Sequence, residues 1–226
     1  MIGIFDSGKG GLFALSELRH NMPSADICFY ADKENAPYGT KSETELTRLV
    51  KRDIEILKSE GAEVVLMACC TASTVYHRLS NEEKSICCPI ILPTAKSAAN
   101  SIRDGKVAVI ATERTVKSHA FRNALHDFDS ECVLELSLGE LVALIENGIS
   151  DSCIDEKIKT KINSMLLPVR ESGASALILG CTHFAYVEKT VSELLPGIRI
   201  INSAREGALE IKSKTKDLGS GRTFFL

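Results

Sequence analysis

Apolar and polar positions fall in short blocks along the chain, and the blocks predict strands and helices in alternation. An apolar run at 2–5 predicts a strand. The stretch Asp6-Ser7-Gly8-Lys9-Gly10-Gly11 predicts a glycine-rich turn, and 12–20 a helix. A second strand is expected at 26–30, followed by a loop holding Pro37-Tyr38-Gly39. Ser42 and Glu45 have capping-box spacing. They open an amphipathic helix to about 60, with Leu46, Leu49, Val50, Ile54 and Leu57 on one side, and Gly61 stops it. Further strands are expected at 63–67, 89–92, 106–110, 176–179 and 198–201, with a weak one at 133–136 and an edge strand at 222–226. Helices are expected after Cys69, capped by Thr71 or Ser73, to about 79, from Pro93 to about 103, and at 116–126, 138–147, 154–171 (broken or kinked by Pro168) and 204–212. Such alternation predicts an α/β fold with mainly parallel sheets. The opening strand, glycine loop and helix place ligands at the carboxyl ends of strands. The chain is divided as 1–92 plus 206–226, and 93–205, the helix at 204–212 crossing back to the first unit.

A length of 226 residues with 44% hydrophobic content supports two small domains with real cores. The net charge of −3 is spread in mixed signs, without the basic stripe of a nucleic-acid partner. No apolar run reaches the roughly 18 residues of a membrane span. The start of the chain lacks the pattern of a secretory leader, so a cytoplasmic protein is expected. In that setting the eight cysteines are read as reduced thiols. No CxxC spacing occurs, and no metal site is expected.

The candidate chemistry sits in one pattern that occurs twice. Residues 64–73 read VVLMACCTAS and residues 176–183 read ALILGCTH. Each is an apolar strand ending in a small residue, a cysteine and a threonine close behind. Cys69 and Cys181 would then stand at equivalent strand ends, one in each half. A thiol just before a helix N-terminus is expected to favour the thiolate. Asp6, at the end of the first strand, is either a helix cap or a functional carboxylate. His183 is either a core histidine or an aid to the neighbouring thiol. The Pro37-Tyr38-Gly39 turn is either a plain surface turn or one that offers backbone N–H groups and the Tyr38 edge to a ligand.

Along most of its length the sequence resembles the glutamate racemases of the aspartate/glutamate racemase group. IGIFDSGKGGL resembles the family's IGxFDSGxGGL, APYGTKS its APYGxKS, ACCTAS its ACNTAS, and LGCTHF its LGCTHY. ATERTVKSHAF and LVALIENG resemble ATxxTVxSxxY and LVxxIExG. The resemblance implies two pseudo-symmetric three-layer α/β domains with the active site in the cleft between them, and a racemase that needs no cofactor. It implies Cys69 and Cys181 as the acid/base thiols, assisted by Asp6, His183 and Glu146. Asp6, Ser7, Pro37, Tyr38, Gly39, Cys70, Thr71, Thr115, Thr182 and His183 would hold the substrate, a small acidic amino acid. A homodimer is left open.

The sequence departs from that pattern at Cys70, where the family has Asn, and at Asn202, where it has Asp; the family also continues past the segment like 223–225. These departures keep three alternatives in view. One is a racemase of aspartate or diaminopimelate, and another a racemase-like protein with little turnover. The third, a Cys181–His183 hydrolase or transferase, is disfavoured because a two-residue spacing is short for a nucleophile and its base.

Overall fold

The computed structural model describes residues 1–103 and 105–226. In chain order it begins with β1 (Ile2–Asp6), α1 (Gly11–Asn21), β2 (Ile27–Ala31), α2 (Glu43–Ser59), β3 (Val64–Met67), α3 (Cys70–Ser73), α4 (Asn81–Ile86) and β4 (Cys87–Pro89). It continues with α5 (Ile91–Ser101), β5 (Lys106–Ala111), α6 (Glu113–Ser118), α7 (Ala120–His126), β6 (Glu131–Ser137) and α8 (Gly139–Glu146). The remainder is α9 (Glu156–Met165), α10 (Leu167–Glu171), β7 (Ala176–Gly180), α11 (Glu188–Leu194), β8 (Arg199–Asn202), α12 (Ser203–Lys214) and β9 (Thr223–Phe225).

The strands form two sheets, β4-β3-β1-β2-β9 and β6-β5-β7-β8, and every described pairing is parallel. Read in reverse, the second sheet runs β8-β7-β5-β6, so β3 corresponds to β7 and β1 to β5. The central strands are buried along their length, as parallel strands covered on both faces must be, and this is why they read as continuous apolar runs. The first sheet has α2 and its leucines on one face and α1 with α12 on the other. The second sheet is covered in the same way, by α8 to α11 on one face and by α5 and α7 on the other. α12 packs against α1 and α5 and so ties the two halves. Gly207 permits this approach, since a Cβ there would lie 2.9 Å from Ile90 Cγ1.

Several expected elements are moved or divided. The helix after Cys69 is a single turn, because the hydroxyls of Ser73 and Thr74 donate to the carbonyls of Met67 and Thr71 and compete with helix continuation. The strand expected at 89–92 is Cys87–Pro89; Ile91 already begins α5, with Pro93 in its first turn, where no N–H is needed. The helix expected at 116–126 starts three residues earlier, capped by Thr112, and breaks at His119, whose φ is 52°. The weak strand is longer than expected, Glu131–Ser137, and α11 occupies a stretch where no helix was expected. At Ser42 the hydroxyl caps α2 by accepting from Glu45 N at 3.2 Å, while the reciprocal capping box is formed by Ser80 and Glu83. The edge strand at the chain's end pairs with β2, and the break near Pro168 separates α9 from α10.

Candidate active site

The two cysteines stand at corresponding places, directly after the corresponding strands β3 and β7. Both are buried, Cys69 at 6% and Cys181 at 8% exposure. Cys69 caps α3 with its own sulfur, which accepts from Ala72 N at 3.5 Å and lies 3.7 Å from Ser7 Oγ. Burial, then the charge of Asp6, pushes its thiol up to about 12 against the opposing N–H of Ala72. The expected preference for thiolate at a helix N-terminus is therefore overturned. One turn of helix has little dipole, and desolvation of the charged form is the larger effect. The Cys181 thiol is also pushed well up, first by burial and then by the charges of Cys70, Cys69 and Asp6, so these four groups share one electrostatic neighbourhood.

Asp6 is fully buried at the end of β1. It accepts from Gly8 N at 2.8 Å, which is a turn-closing bond, and from Thr182 Oγ1 at 3.0 Å, which reaches the other sheet's loop. Burial raises its carboxyl above the usual range, against the attraction of His183. The glycine loop is pressed onto the Cys181-Thr182-His183 segment. A Cβ at Gly10 would lie 2.3 Å from Thr182 Oγ1 and 2.8 Å from His183 Nδ1. Lys9 spans the same junction: its ammonium donates to the carbonyls of Ile145 and Glu146 at the end of α8, and its carbonyl accepts from Tyr186 Oη.

His183 Nδ1 lies 3.6 Å from Cys181 Sγ, and Nε2 is hydrogen-bonded to Glu146 Oε1. A spacing of two residues thus does allow thiol and imidazole to touch, because Cys181 is extended and the chain turns into the 3-10 segment Thr182–Val187. Across from them, Thr71 Oγ1 lies 2.9 Å from Thr112 Oγ1 and 3.3 Å from Thr115 Oγ1. This cluster joins the loop after β3 to the loop after β5.

Asp6, Ser7, Cys69, Thr71, Thr115, Cys181, Thr182, His183 and Glu146 are therefore linked by contacts or shared fields around one junction. Tyr38 stands differently. Its ring is in the core beside α2, in the same apolar cluster as Cys69, and its hydroxyl lies between the carboxyls of Asp32 and Asp53. Pro37 is exposed, and Gly39 abuts Thr112, where a Cβ would come within 3.3 Å. Cys70 packs into an apolar cluster, with Ser203 beside its sulfur. Asn202 caps α12, accepting from Ala204 N at 2.9 Å and donating to Glu188. Sequence reasoning missed Thr112 and Asp53. The signals were Thr112 opening a Thr-x-x-Thr stretch after a strand, and a charge on the apolar face of α2. Two surface cavities, of ≈ 440 and ≈ 1140 Å³, open elsewhere. One is between α5 and α12, the other beside Met1, Cys87 and Lys214.

Comparison with known proteins agrees with this fold. A profile of the Asp/Glu/Hydantoin racemase family matches residues 16–211. The glutamate racemase of Aquifex aeolicus is 32% identical over 221 residues, covering 97% of this chain and 85% of its own. That of Desulforudis audaxviator is 34% identical over 208 residues, covering 90% and 74%. Among solved structures, the glutamate racemase isoform RacE1 of Bacillus anthracis superposes with a TM-score of 0.90 at 30% identity, over 100% of this chain and 86% of that one. The Francisella tularensis glutamate racemase in complex with D-glutamate gives 0.86 at 25% identity, over 99% and 86%.

Proposed function

The chain belongs to the glutamate racemases of the Asp/Glu/Hydantoin racemase family, and from that premise we propose how it interconverts L- and D-glutamate. Family membership carries with it the supply of D-glutamate to peptidoglycan. The observation that carries the mechanism is the pair of buried thiols after corresponding strands, within each other's field.

Cys69 and Cys181 are the two acid/base groups. In one direction a thiolate on one side takes the α-proton; the Cα–H bond breaks, its electron pair stays on carbon, and the sulfur becomes a thiol. The opposite thiol then gives its proton to the other face and is left as thiolate, ready for the reverse reaction. Burial holds both thiols neutral at rest, so one releases its proton to solvent as glutamate enters, and the thiolate left behind is stabilised by the ammonium of bound glutamate, an opposite charge brought into the site. The field of Asp6 makes the Cys69 thiolate, once formed, a stronger base, and His183, held by Glu146, assists Cys181. Ser7, Thr71, Thr115, Thr182 and the backbone of the Pro37–Gly39 turn hold the carboxylates and ammonium. Donors around the α-carboxylate stabilise the charge that develops there.

The lobes are read as 1–92 with 206–226, and 93–205. The working environment is read as cytoplasmic, with a homodimer as the candidate assembly. The test of substrate is direct: purified protein is incubated with L-glutamate, and separately with L-aspartate, while optical rotation is followed. Loss of rotation with glutamate and none with aspartate is expected. Loss with aspartate alone would overturn the assignment.

A further inference from the structure

Asp53 lies on the face of α2 that otherwise carries Leu46, Leu49, Val50, Ile54 and Leu57, and it is 0% exposed. Apolar packing does not explain a carboxyl there. Its Oδ2 meets the Tyr38 hydroxyl, and its Oδ1 accepts from Arg52 Nη2 at 3.0 Å. The same hydroxyl lies 2.7 Å from Asp32 Oδ2. Asp32 also accepts from Arg52 at 2.7 Å and from Asn35 Nδ2 at 2.9 Å. Tyr30 completes the surroundings: its hydroxyl is 3.5 Å from Asp32 and 3.3 Å from Arg52, with Glu34 in its field.

A phenol has one proton and an ionised carboxylate has none. Two carboxyl oxygens at hydrogen-bonding distance from one phenol oxygen require two protons between the three groups. Burial works to raise Asp32, but the donors Tyr38, Asn35 and Arg52 outweigh it and hold that carboxyl below its usual range. Asp53 is deeper and has fewer donors, so the second proton belongs to it. The turn that follows this anchor, Tyr38–Thr40, sets Gly39 against Thr112, which is bonded to Thr71 beside Cys69.

We propose that Asp53 is a positioning residue. The proton it carries completes the chain Asp53–Tyr38–Asp32 and holds the Pro37–Gly39 turn in place over the two-thiol site. The inference rests on the reading that this turn helps to hold glutamate. Asp53 itself touches no reacting atom.

The sign of the pH dependence follows. Burial, with Asp32 beside it, lifts the Asp53 carboxyl to about 6, above the roughly 3.9 of an unfolded chain. The folded state therefore holds the proton more tightly. The latch is complete below about pH 4 and is lost as pH rises through about 6.

The experiment follows the Tyr38 and Gly39 amide resonances of the full chain by NMR from about pH 5 to about pH 7.5, alongside the KM for glutamate, in the wild type and in Asp53→Asn, whose amide donates to Tyr38 at every pH. In the wild type the amides should shift with a midpoint near 6, and KM should rise about threefold or more across that range. In Asp53→Asn both should be flat relative to the wild type, with kcat little changed. Amides that do not titrate, or that titrate equally in Asp53→Asn, would overturn the proposal. Amides that titrate only in the wild type, with identical KM profiles, would uphold the latch and remove the turn from the substrate site. Asp53→Leu, which fills the apolar face, should lower the affinity for glutamate at about pH 5, where the wild type is latched, and approach the wild type at about pH 7.5; unchanged affinity at about pH 5 would count against the latch.

Discussion

Cys69 and Cys181 are enclosed thiols held in the protonated form, and this sets their reactivity toward reagents other than substrate. With Cys69 pushed up to about 12, its thiolate fraction at neutral pH is on the order of a thousandfold below that of an ordinary solvated thiol. Cys153 is the exposed cysteine of the eight. Iodoacetamide at neutral pH should therefore label Cys153 first, and mass spectrometry should find both site thiols unmodified while Cys153 is already saturated. Their labelling should rise steadily with pH, because the thiolate appears only as pH climbs toward the raised value. Equal labelling of Cys69 and Cys153 at neutral pH would show that burial does not control the thiol. At this scale the placement of the two thiols after corresponding strands was legible from the doubled strand-to-cysteine pattern, but their state was not. A local rule about helix ends pointed to thiolate, whereas the outcome depends on how much protein closes over the sulfur.

The elements that meet at the site do so through glycine. Gly10 lies where the loop after β1 crosses the loop after β7, and any side chain there would overlap Thr182 and His183. Gly10→Ala must part the two loops by a few tenths of an ångström or more. It should lower stability by about 1–3 kcal/mol in a denaturant titration and depress kcat/KM by about tenfold or more. An alanine variant with wild-type kinetics would mean that the loop contact does not set the thiol geometry. Strand positions were legible here because parallel strands covered on both faces are continuous apolar runs, as in residues 64–67 and 176–179. Helix limits were less so. The turn after Cys69 ends early because Ser73 and Thr74 spend their hydroxyls on nearby carbonyls, and the helix at 113–126 is broken at His119. Neither event has a period for a sequence pattern to reveal. The Pro37-Tyr38-Gly39 residues leave a plain turn and a ligand-presenting turn both open, because Pro and Gly set backbone angles without saying what the ring meets. The fate of Tyr38 was decided by Asp32, Asp53 and Arg52, residues that only the fold assembles.

For the molecule as a whole, the reversed strand orders of the two sheets give each half the same arrangement, and the halves set Cys69 and Cys181 at corresponding ends. Lys9, the Asp6–Thr182 bond and the Thr71–Thr112 contact then tie the two loops and sheets together around them. A protein built this way should take the hydrogen from one face of the carbon and deliver a different one, from the opposite thiol, to the other face. The decisive measurement is deuterium incorporation during the first few per cent of reaction, starting from protiated L-glutamate in deuterium oxide. Newly formed D-glutamate should carry deuterium at its α-carbon while the remaining L-glutamate keeps its protium. Protium carried over into the product, or equal labelling of both enantiomers from the outset, would point to a single base and contradict the two-thiol account.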